Sequence, residues 1–398
     1  MILLALYRIL SYIPLRIVSP FKLKDLAPGK VDVWFHMASL GEVLAAKKLV
    51  ELFLEKGYRV LVTCFTQTGF NKALELWKEK ATILRFPWDS YFHVKRILRV
   101  LRPEAFIVLE TELWPNTLYL IGKNKIPAFL VNARISEKNF EKSRKFKSLY
   151  KEILKPFVTI FAQTEEDAYR FEALGAQKNK IKVVGNIKID SASGEGKHFS
   201  KEELGISKDE FVIIFASLRE KEEDFALRIV QDLSNVDGLR FVFAPRHLDR
   251  VEALSRELEN LRIPFSLWTM KRQGDSKVLI LNTLGELRKL YPIADLVLLG
   301  GTFAPYGGHN ILEVAISGAP ALVGPFHSSI KNEVRFLAES NAVILCQDKE
   351  KVRDKILEIM KMREELKNIG ERAKNEVKAR QGISEKIFKE ILVHLKKA

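Results

Sequence analysis

Residues 296–325 read LVLLGGTFAPYGGHNILEVAISGAPALVGP. The opening LVLL (296–299) is a short apolar run and predicts a buried strand. Gly300, Gly301, Gly307 and Gly308 then mark a loop, residues 311–317 predict a helix, and ALV (321–323) predicts a second strand. Glycines between a strand and a helix let a ligand approach the backbone closely. The free N–H groups that open a helix suit an anion such as phosphate. Glu313 falls within the first turn of that helix, where a carboxylate can accept from sugar hydroxyls as acidic residues do for ribose in dinucleotide folds. A plainer description also fits these residues: a tight strand-to-helix turn with Glu313 as a favourable first-turn charge.

Outward from this stretch the pattern repeats. In the same half, FVIIFAS (211–217), LRFVFAP (239–245), KVLILNT (277–283) and NAVILC (341–346) predict further strands. In the other half the runs are VDVWFH (31–36), YRVLVTCF (58–65), ATILRF (81–86), AFIVLE (105–110), PAFLVNA (127–133) and VTIFAQ (158–163). Short apolar runs separated by helical stretches imply parallel sheets covered on both faces. The expected fold class is α/β, with two doubly wound, Rossmann-like domains facing a cleft. Residues 31–190 form the first domain, the small polar stretch SASGEGKHFS (191–200) a linker, and residues 201–398 the second domain. The charged, helical tail from residue 349 is expected to close the second domain or to pack back across the first. Such folds hold ligands at the carboxyl ends of their strands.

The chain has 398 residues, long for one core and comfortable for two domains. Apolar and charged fractions of 47% and 29% are those of a globular protein, which excludes a disordered or fibrous one. A net charge of +15 attracts polyanions: nucleic acid, anionic lipid or phosphorylated substrates. Cys64 and Cys346 both sit in apolar runs, which suggests reduced, buried thiols and a cytosolic environment rather than a disulfide framework. The N-terminal MILLALYRILSYIPLRIV (1–18) is strongly apolar, but Arg8, Pro14 and Arg16 interrupt it. It falls short of the roughly 20 apolar residues a membrane span needs. No small-residue cleavage site follows, and Lys22, Lys24 and Lys30 come next. It reads either as an interfacial or anchoring helix or as an amphipathic helix packed on the protein. Apolar residues on nearly every face favour membrane contact for residues 1–30.

Several strand ends carry chemistry. After the first strand, Ser39-Leu40-Gly41-Glu42 puts a carboxylate at a helix opening, as a helix N-terminal charge or as a general base. Glu110 ends the fourth strand, with Glu112, Trp114 and Pro115 opening the next helix. Asn132-Ala133-Arg134 ends the fifth, and Lys188 follows a glycine turn at VGNIK (184–188), either as a solvated charge or to neutralise a phosphate or carboxylate. In the second half, Pro245-Arg246-His247 ends a strand and gives Arg246 the geometry that phosphates favour. Leu284, Gly285 and Glu286 follow another strand, in reach of a nucleotide base or ribose. There is no GxxxxGK[ST] loop, no GxGxxG after the first strand, no HExxH, no GxSxG elbow and no Asp-x-Asp metal pair. The basic cluster Lys142, Arg144, Lys145 and Lys147 lacks an aromatic platform for nucleic acid and suits anionic lipid better.

Taken in order, HMASLGE, ETELWPN, NAR, VGNIK, PRH, LGEL and GGHNILE followed by GPF resemble the successive motifs of the bacterial 3-deoxy-D-manno-octulosonic acid (Kdo) transferases. The resemblance spans nearly the whole chain; the loop TFAPY (302–306) departs from it. It implies a GT-B glycosyltransferase at the cytoplasmic face of the inner membrane that moves Kdo from CMP-Kdo to a lipid A precursor (lipid IVA). The first domain would bind acceptor and the second the CMP-sugar. It implies Glu42 as general base in an inverting displacement, with Glu110 and Lys188 stabilising or positioning the reacting groups. It implies a CMP site of Pro245, Arg246, Leu284, Gly285, Glu286, Asn310, Ile311, Leu312 and Glu313, with no metal and no cofactor. The partners expected are CMP-Kdo, the lipid A precursor and an anionic membrane surface, not nucleic acid. The alternatives are another GT-B sugar-nucleotide enzyme (a UDP-sugar transferase or epimerase), a non-enzymatic lipid- or polyanion-binding protein, and a nucleic-acid binder.

Overall fold

The computed structural model describes Tyr7 and residues 29–192, 198–270 and 276–395. The expected membrane contact of residues 1–30 therefore falls almost wholly outside the described residues, as does the middle of the expected linker. The chain divides into two compact units, one running to Ser191 and taking back the chain from Gly382, the other Ala192–Gln381.

The first unit holds seven strands: β1 (Val33–Met37), β2 (Val60–Cys64), β3 (Thr82–Arg85), β4 (Ala105–Leu109), β5 (Ala128–Ala133), β6 (Phe157–Ala162) and β7 (Ile181–Val183). They lie in the order β3-β2-β1-β4-β5-β6-β7, every pair parallel. Every residue of β1, β2, β4 and β5 is buried. Helices on both faces explain why these strands read as continuous apolar runs rather than alternating ones. Trp34 of β1 meets Phe106 of β4 edge to face at 4.8 Å in the middle of the core. The chain builds outward from β1 to β3 and then returns to place β4 on the other side of β1. That reversal opens a crevice at the carboxyl ends of β1 and β4, where such sheets take ligands.

The second unit repeats the plan with β8 (Phe211–Leu218), β9 (Leu239–Pro245), β10 (Phe265–Leu267), β11 (Val278–Ile280), β12 (Leu296–Leu299), β13 (Ala321–Val323) and β14 (Ile344–Leu345). Its order is β10-β11-β9-β8-β12-β13-β14, again all parallel, with the reversal between β8 and β12. The 296–325 stretch has the predicted strand, helix (Ile311–Ser317) and strand. β7 and β10 have no matching apolar run in the sequence; each is a three-residue strand, only partly buried.

The tail expected to close the second domain divides. Helix Arg363–Ala379 stays with the second unit, whereas helix Ile383–Leu392 packs on the first. Asp190 accepts the N–H groups of Gly382, Ile383 and Ser384 at the start of that last helix. Its apolar face needs a cover, and Phe53 meets Phe388 at 4.7 Å. Both cysteines are free and buried, as the sequence suggested. Among the described residues no helix is long and apolar enough to cross a membrane.

Gly300 sits where β12 ends against β8, its N–H donating to the Ala216 carbonyl at 2.8 Å. A Cβ there would lie within 2.5 Å of the Ala216 and Ser217 carbonyl oxygens. Gly300→Ala should therefore destabilise the second unit by about 1–3 kcal/mol, the usual cost of overpacking. Urea unfolding with hydrogen exchange read on β8 and β12 checks this; an unchanged midpoint would show that the strand ends have slack.

Candidate functional site

In the first unit, β1 ends one residue before Ala38, and Ser39 caps helix Leu40–Glu55 by accepting the Glu42 N–H at 3.3 Å. Ser and Glu three residues apart at a helix start are a capping box, but here the glutamate is more tightly held than a cap requires. Glu42 Oε1 accepts from Ser39 Oγ at 2.9 Å and Oε2 from the Ala38 N–H at 2.8 Å. The side chain is 7% exposed. Burial pushes its pKa up to about 7, and the charges of Glu110 and Glu112 add to the rise against the two hydrogen bonds. A carboxylate poised near neutral pH is what general-base chemistry uses.

Across the switch point, Glu110 follows β4 with φ 53, a conformation uncommon for a residue with a Cβ. Its Oε2 accepts from Arg134 Nε at 3.0 Å and its Oε1 from Lys188 Nζ at 3.2 Å. Lys188 is aimed by the buried Asn132, also at positive φ (58), whose Oδ1 accepts the Ile187 N–H at 3.1 Å. The structure thus brings Glu42, Glu110 and Lys188 to the carboxyl ends of adjacent strands.

Four side chains outside the expected catalytic set, His36, Trp114, Glu112 and Asp89, complete this edge. His36, fully buried at the end of β1, has its pKa lowered by burial and is neutral. Its Nδ1 lies 3.1 Å from Thr63 Oγ1, and its Nε2 accepts from Trp114 Nε1 at 3.0 Å. The same indole N–H reaches Glu112 Oε2 at 2.9 Å. Asp89, fully buried, accepts the Asn116 and Thr117 N–H groups at 2.8 and 2.7 Å, Thr117 Oγ1 at 2.7 Å and the Tyr7 hydroxyl at 3.1 Å. Burial pushes Asp89 up to about 6 in spite of these donors. No local motif marks it, because its partners lie far along the chain.

In the second unit the carboxyl ends of β8, β9 and β12 converge. Buried Pro245 ends β9, and Arg246 follows, exposed, its N–H donating to the Leu218 carbonyl at 2.8 Å. Glu222, 1% exposed, accepts from Gly301 N at 2.8 Å, Phe303 N at 2.9 Å and Arg219 N at 3.1 Å. It staples the glycine loop to the end of β8. Gly308, at φ +91, turns that loop back so that its N–H meets the Gly301 carbonyl at 2.8 Å.

Among the expected nucleotide-binding residues, Asn310 caps the seven-residue helix by accepting the Leu312 N–H at 3.2 Å, and Asn310 Nδ2 donates to Glu313 Oε1 at 3.0 Å. Ile311 and Leu312 are buried in the core, so only their backbone can face a ligand. Leu284 is 74% exposed, Gly285 turns at φ 102, and Glu286 accepts from Thr283 Oγ1 at 2.7 Å. Among the described residues Leu284, Gly285 and Glu286 make no hydrogen bond to Arg246 or to the glycine loop. Positive charge is concentrated instead beside His309. Burial, then Arg246, Arg219 and His247, push its pKa down to about 4.

The family described as 3-deoxy-D-manno-octulosonic-acid transferase (kdotransferase) matches residues 15–191. A 3-deoxy-D-manno-octulosonic acid transferase of Chlamydia pneumoniae is 30% identical over 343 residues, covering 84% of this chain and 78% of that one. One of Aquifex aeolicus is 28% identical over 352 residues, covering 87% and 91%. A bifunctional glycosyltransferase/methyltransferase of Fusobacterium nucleatum is 29% identical over 350 residues; the chain spans 54% of its length. Among solved structures, a glycosyltransferase from Rickettsia africae superposes with TM-score 0.65 at 14% identity, covering 93% of this chain and 100% of that one. A UDP-GlcNAc 2-epimerase from Neisseria meningitidis gives 0.62 at 15%, covering 91% and 100%. At that identity the likeness concerns the fold, which is GT-B.

Because two like charges and burial act together on Glu42, Glu112→Gln should lower its pKa while leaving it above the ordinary carboxylate value. A carbon-13 titration of the Glu42 carboxyl reads this directly; no movement would mean that Glu112 is screened from it.

Proposed function

Since the chain belongs to the 3-deoxy-D-manno-octulosonic acid transferase family, we propose that it transfers Kdo from CMP-Kdo to a lipid A precursor (lipid IVA) at the cytoplasmic face of the inner membrane. Family membership makes it a glycosyltransferase. The observation that carries the finer reading is Glu42: a buried carboxylate with its titration near neutral, at the switch point of its sheet.

In the proposed reaction Glu42 takes the proton of the acceptor hydroxyl as that oxygen attacks the anomeric carbon of Kdo. The bond from that carbon to the phosphate oxygen breaks, CMP leaves with the electron pair, and configuration inverts. Lys188, with one oxygen of Glu110 as its partner, neutralises negative charge near the reacting groups, and Glu110 holds it there. Pro245, Arg246, the turn Leu284-Gly285-Glu286 and the segment Asn310-Ile311-Leu312-Glu313 line the CMP site. A nucleotide sugar acid brings a phosphodiester and a carboxylate, and its departing charge is stabilised by fixed cations and N–H groups.

No metal and no cofactor enter this scheme. Among the described residues no group of three or more His, Cys, Asp or Glu is placed to hold a metal ion, and Lys and Arg supply the counter-charge. The acceptor reading is supported by the +15 net charge and by Phe146, one exposed ring rather than a platform of several, 52% exposed between Arg144, Lys145 and Lys147. Basic side chains around an exposed aromatic suit an anionic membrane surface.

The test is transfer from CMP-Kdo to a tetra-acylated lipid A precursor with EDTA present. Wild type should form product, and Glu42→Gln should lose roughly 10²–10⁴-fold in kcat, the usual share of a general base. Near-normal turnover by correctly folded Glu42→Gln would remove the base from Glu42. Because the base form predominates above its pKa, the rate should rise with pH through about 7. CMP rather than UDP should compete with donor; the reverse would favour a UDP-sugar transferase or epimerase. Binding to vesicles containing anionic lipid should fall when Phe146, Lys145 and Lys147 are replaced together by Ser; unchanged binding would place the membrane surface elsewhere.

A further inference from the structure

Beyond the residues assigned above to the CMP site, we infer that Arg219, its backbone pinned by Glu222, grips an anionic group of the nucleotide-activated donor with a guanidinium that Tyr306 holds in advance. The inference rests on the reading of the second unit as the donor site. Arg219 follows the last residue of β8, next to the reversal at which a doubly wound sheet takes its ligand. Its N–H is fixed by buried Glu222, 3.1 Å away. Its guanidinium carbon stands 4.3 Å from the centre of the Tyr306 ring, and Nη1 is 3.4 Å from His247 Nε2. Stacking on a ring sets the plane of the guanidinium, so part of the ordering cost of binding is met before the ligand arrives.

Two further observations direct this cation towards a ligand. Arg250, four residues after Arg246, is matched to Glu223 and Glu220, but among the described residues neither Arg219 nor Arg246 has a carboxylate within ion-pair distance. Both raise the positive potential at His309, which stays neutral and whose Nε2 is buried without a hydrogen-bond partner. Unmatched guanidinium groups beside an orphaned ring nitrogen are relieved by a polyoxygen anion, to which Arg presents parallel N–H donors. The donor offers two such groups, a phosphodiester and a sugar carboxylate.

The experiment uses the full chain, with CMP binding by calorimetry and steady-state kinetics in donor. Wild type should bind CMP. Arg219→Ala should raise donor KM about ten- to a hundredfold, the effect of losing a hydrogen-bonded charge, with a smaller change in kcat. Arg219→Lys should recover only part, and Tyr306→Leu should move KM the same way by less. If CMP binding weakens in parallel, the grip is on the phosphodiester; if CMP binding holds while donor KM rises, it is on the carboxylate. Should Arg219→Ala melt early, Arg219→Gln carries the same comparison, since any residue supplies the N–H to Glu222. Donor KM and CMP affinity both within about twofold of wild type would overturn the role of Arg219 alone. Wild-type protein that fails to bind CMP would remove the donor reading, and with it this assignment.

Discussion

A carboxylate withdrawn from water must find donors or give up its charge, and the carboxyl edges of both sheets depend on that requirement. Where a parallel strand stops and the chain turns into a helix, backbone N–H groups are left without partners. Buried acids take them: Glu42 the Ala38 N–H, Asp89 those of Asn116 and Thr117, Glu222 those of Arg219, Gly301 and Phe303. Each bond runs from a loop to a side chain seated in the core, so loops that would otherwise flex become rigid mounts. Helix Pro115–Lys123 shows the consequence. Its N-cap residue is Trp114, which makes no side-chain cap. Asp89 caps the helix from another element, and the Trp114 indole is left to join His36 to Glu112.

The same ingredients give different results at neighbouring positions. Glu42 is buried with only two donors and faces two like charges, and its titration rises to about 7. Glu110, at the next strand end, is gripped by Arg134 and Lys188. One acid whose titration is pushed up by burial beside one held between two cations is a difference that environment alone produces. It also ties the two together, because the charge on Glu110 is part of what keeps a proton on Glu42. The pairing with cations limits that influence and leaves burial as the larger cause.

The strands of both sheet centres were readable because burial on both faces makes them uniformly apolar, and β9, β12 and β13 have the bounds that their runs imply. The edge strands β7 and β10 were not, since half-exposed three-residue strands leave no run to detect. The site divides in the same way. Glu42, Glu110, Lys188 and Arg246 stand directly after strands or a glycine turn, where local pattern suffices. Asp89, Glu222 and Arg219 owe their positions to contacts across the sheet; the Asp89 and Asn116 partnership spans 27 residues and that of Glu222 with Gly301 spans 79. Periodicity carries no information at that separation. The final helix was left open between the two domains for a related reason: its apolar stripe announces burial but does not say against which core.

Glu110, Asn132 and Ser217, like Trp88 and Asp89 beyond β3, hold positive φ without being glycine. Such a conformation costs on the order of 1–3 kcal/mol and persists only where the surroundings over-determine it. Glycine would relieve the strain at each, so the side chain or the backbone direction must matter more. At Glu110 the side chain does, because only a carboxylate can take Arg134 and Lys188 together. Asn132 combines both: its Oδ1 fixes the turn before Lys188, and its carbonyl accepts from Gln163 at 3.2 Å. At Ser217 it is the backbone. The left-handed turn interrupts the register of β8 with β9 between Phe215 and Leu218 and carries the Ser217 carbonyl against Gly300. It thereby sets the direction in which the next residues, Leu218 and Arg219, leave the sheet. At the carboxyl edges these positions lie at or beside candidate site residues, and one demand accounts for that: several charged groups must leave parallel strands in fixed directions, which relaxed extended backbone does not provide.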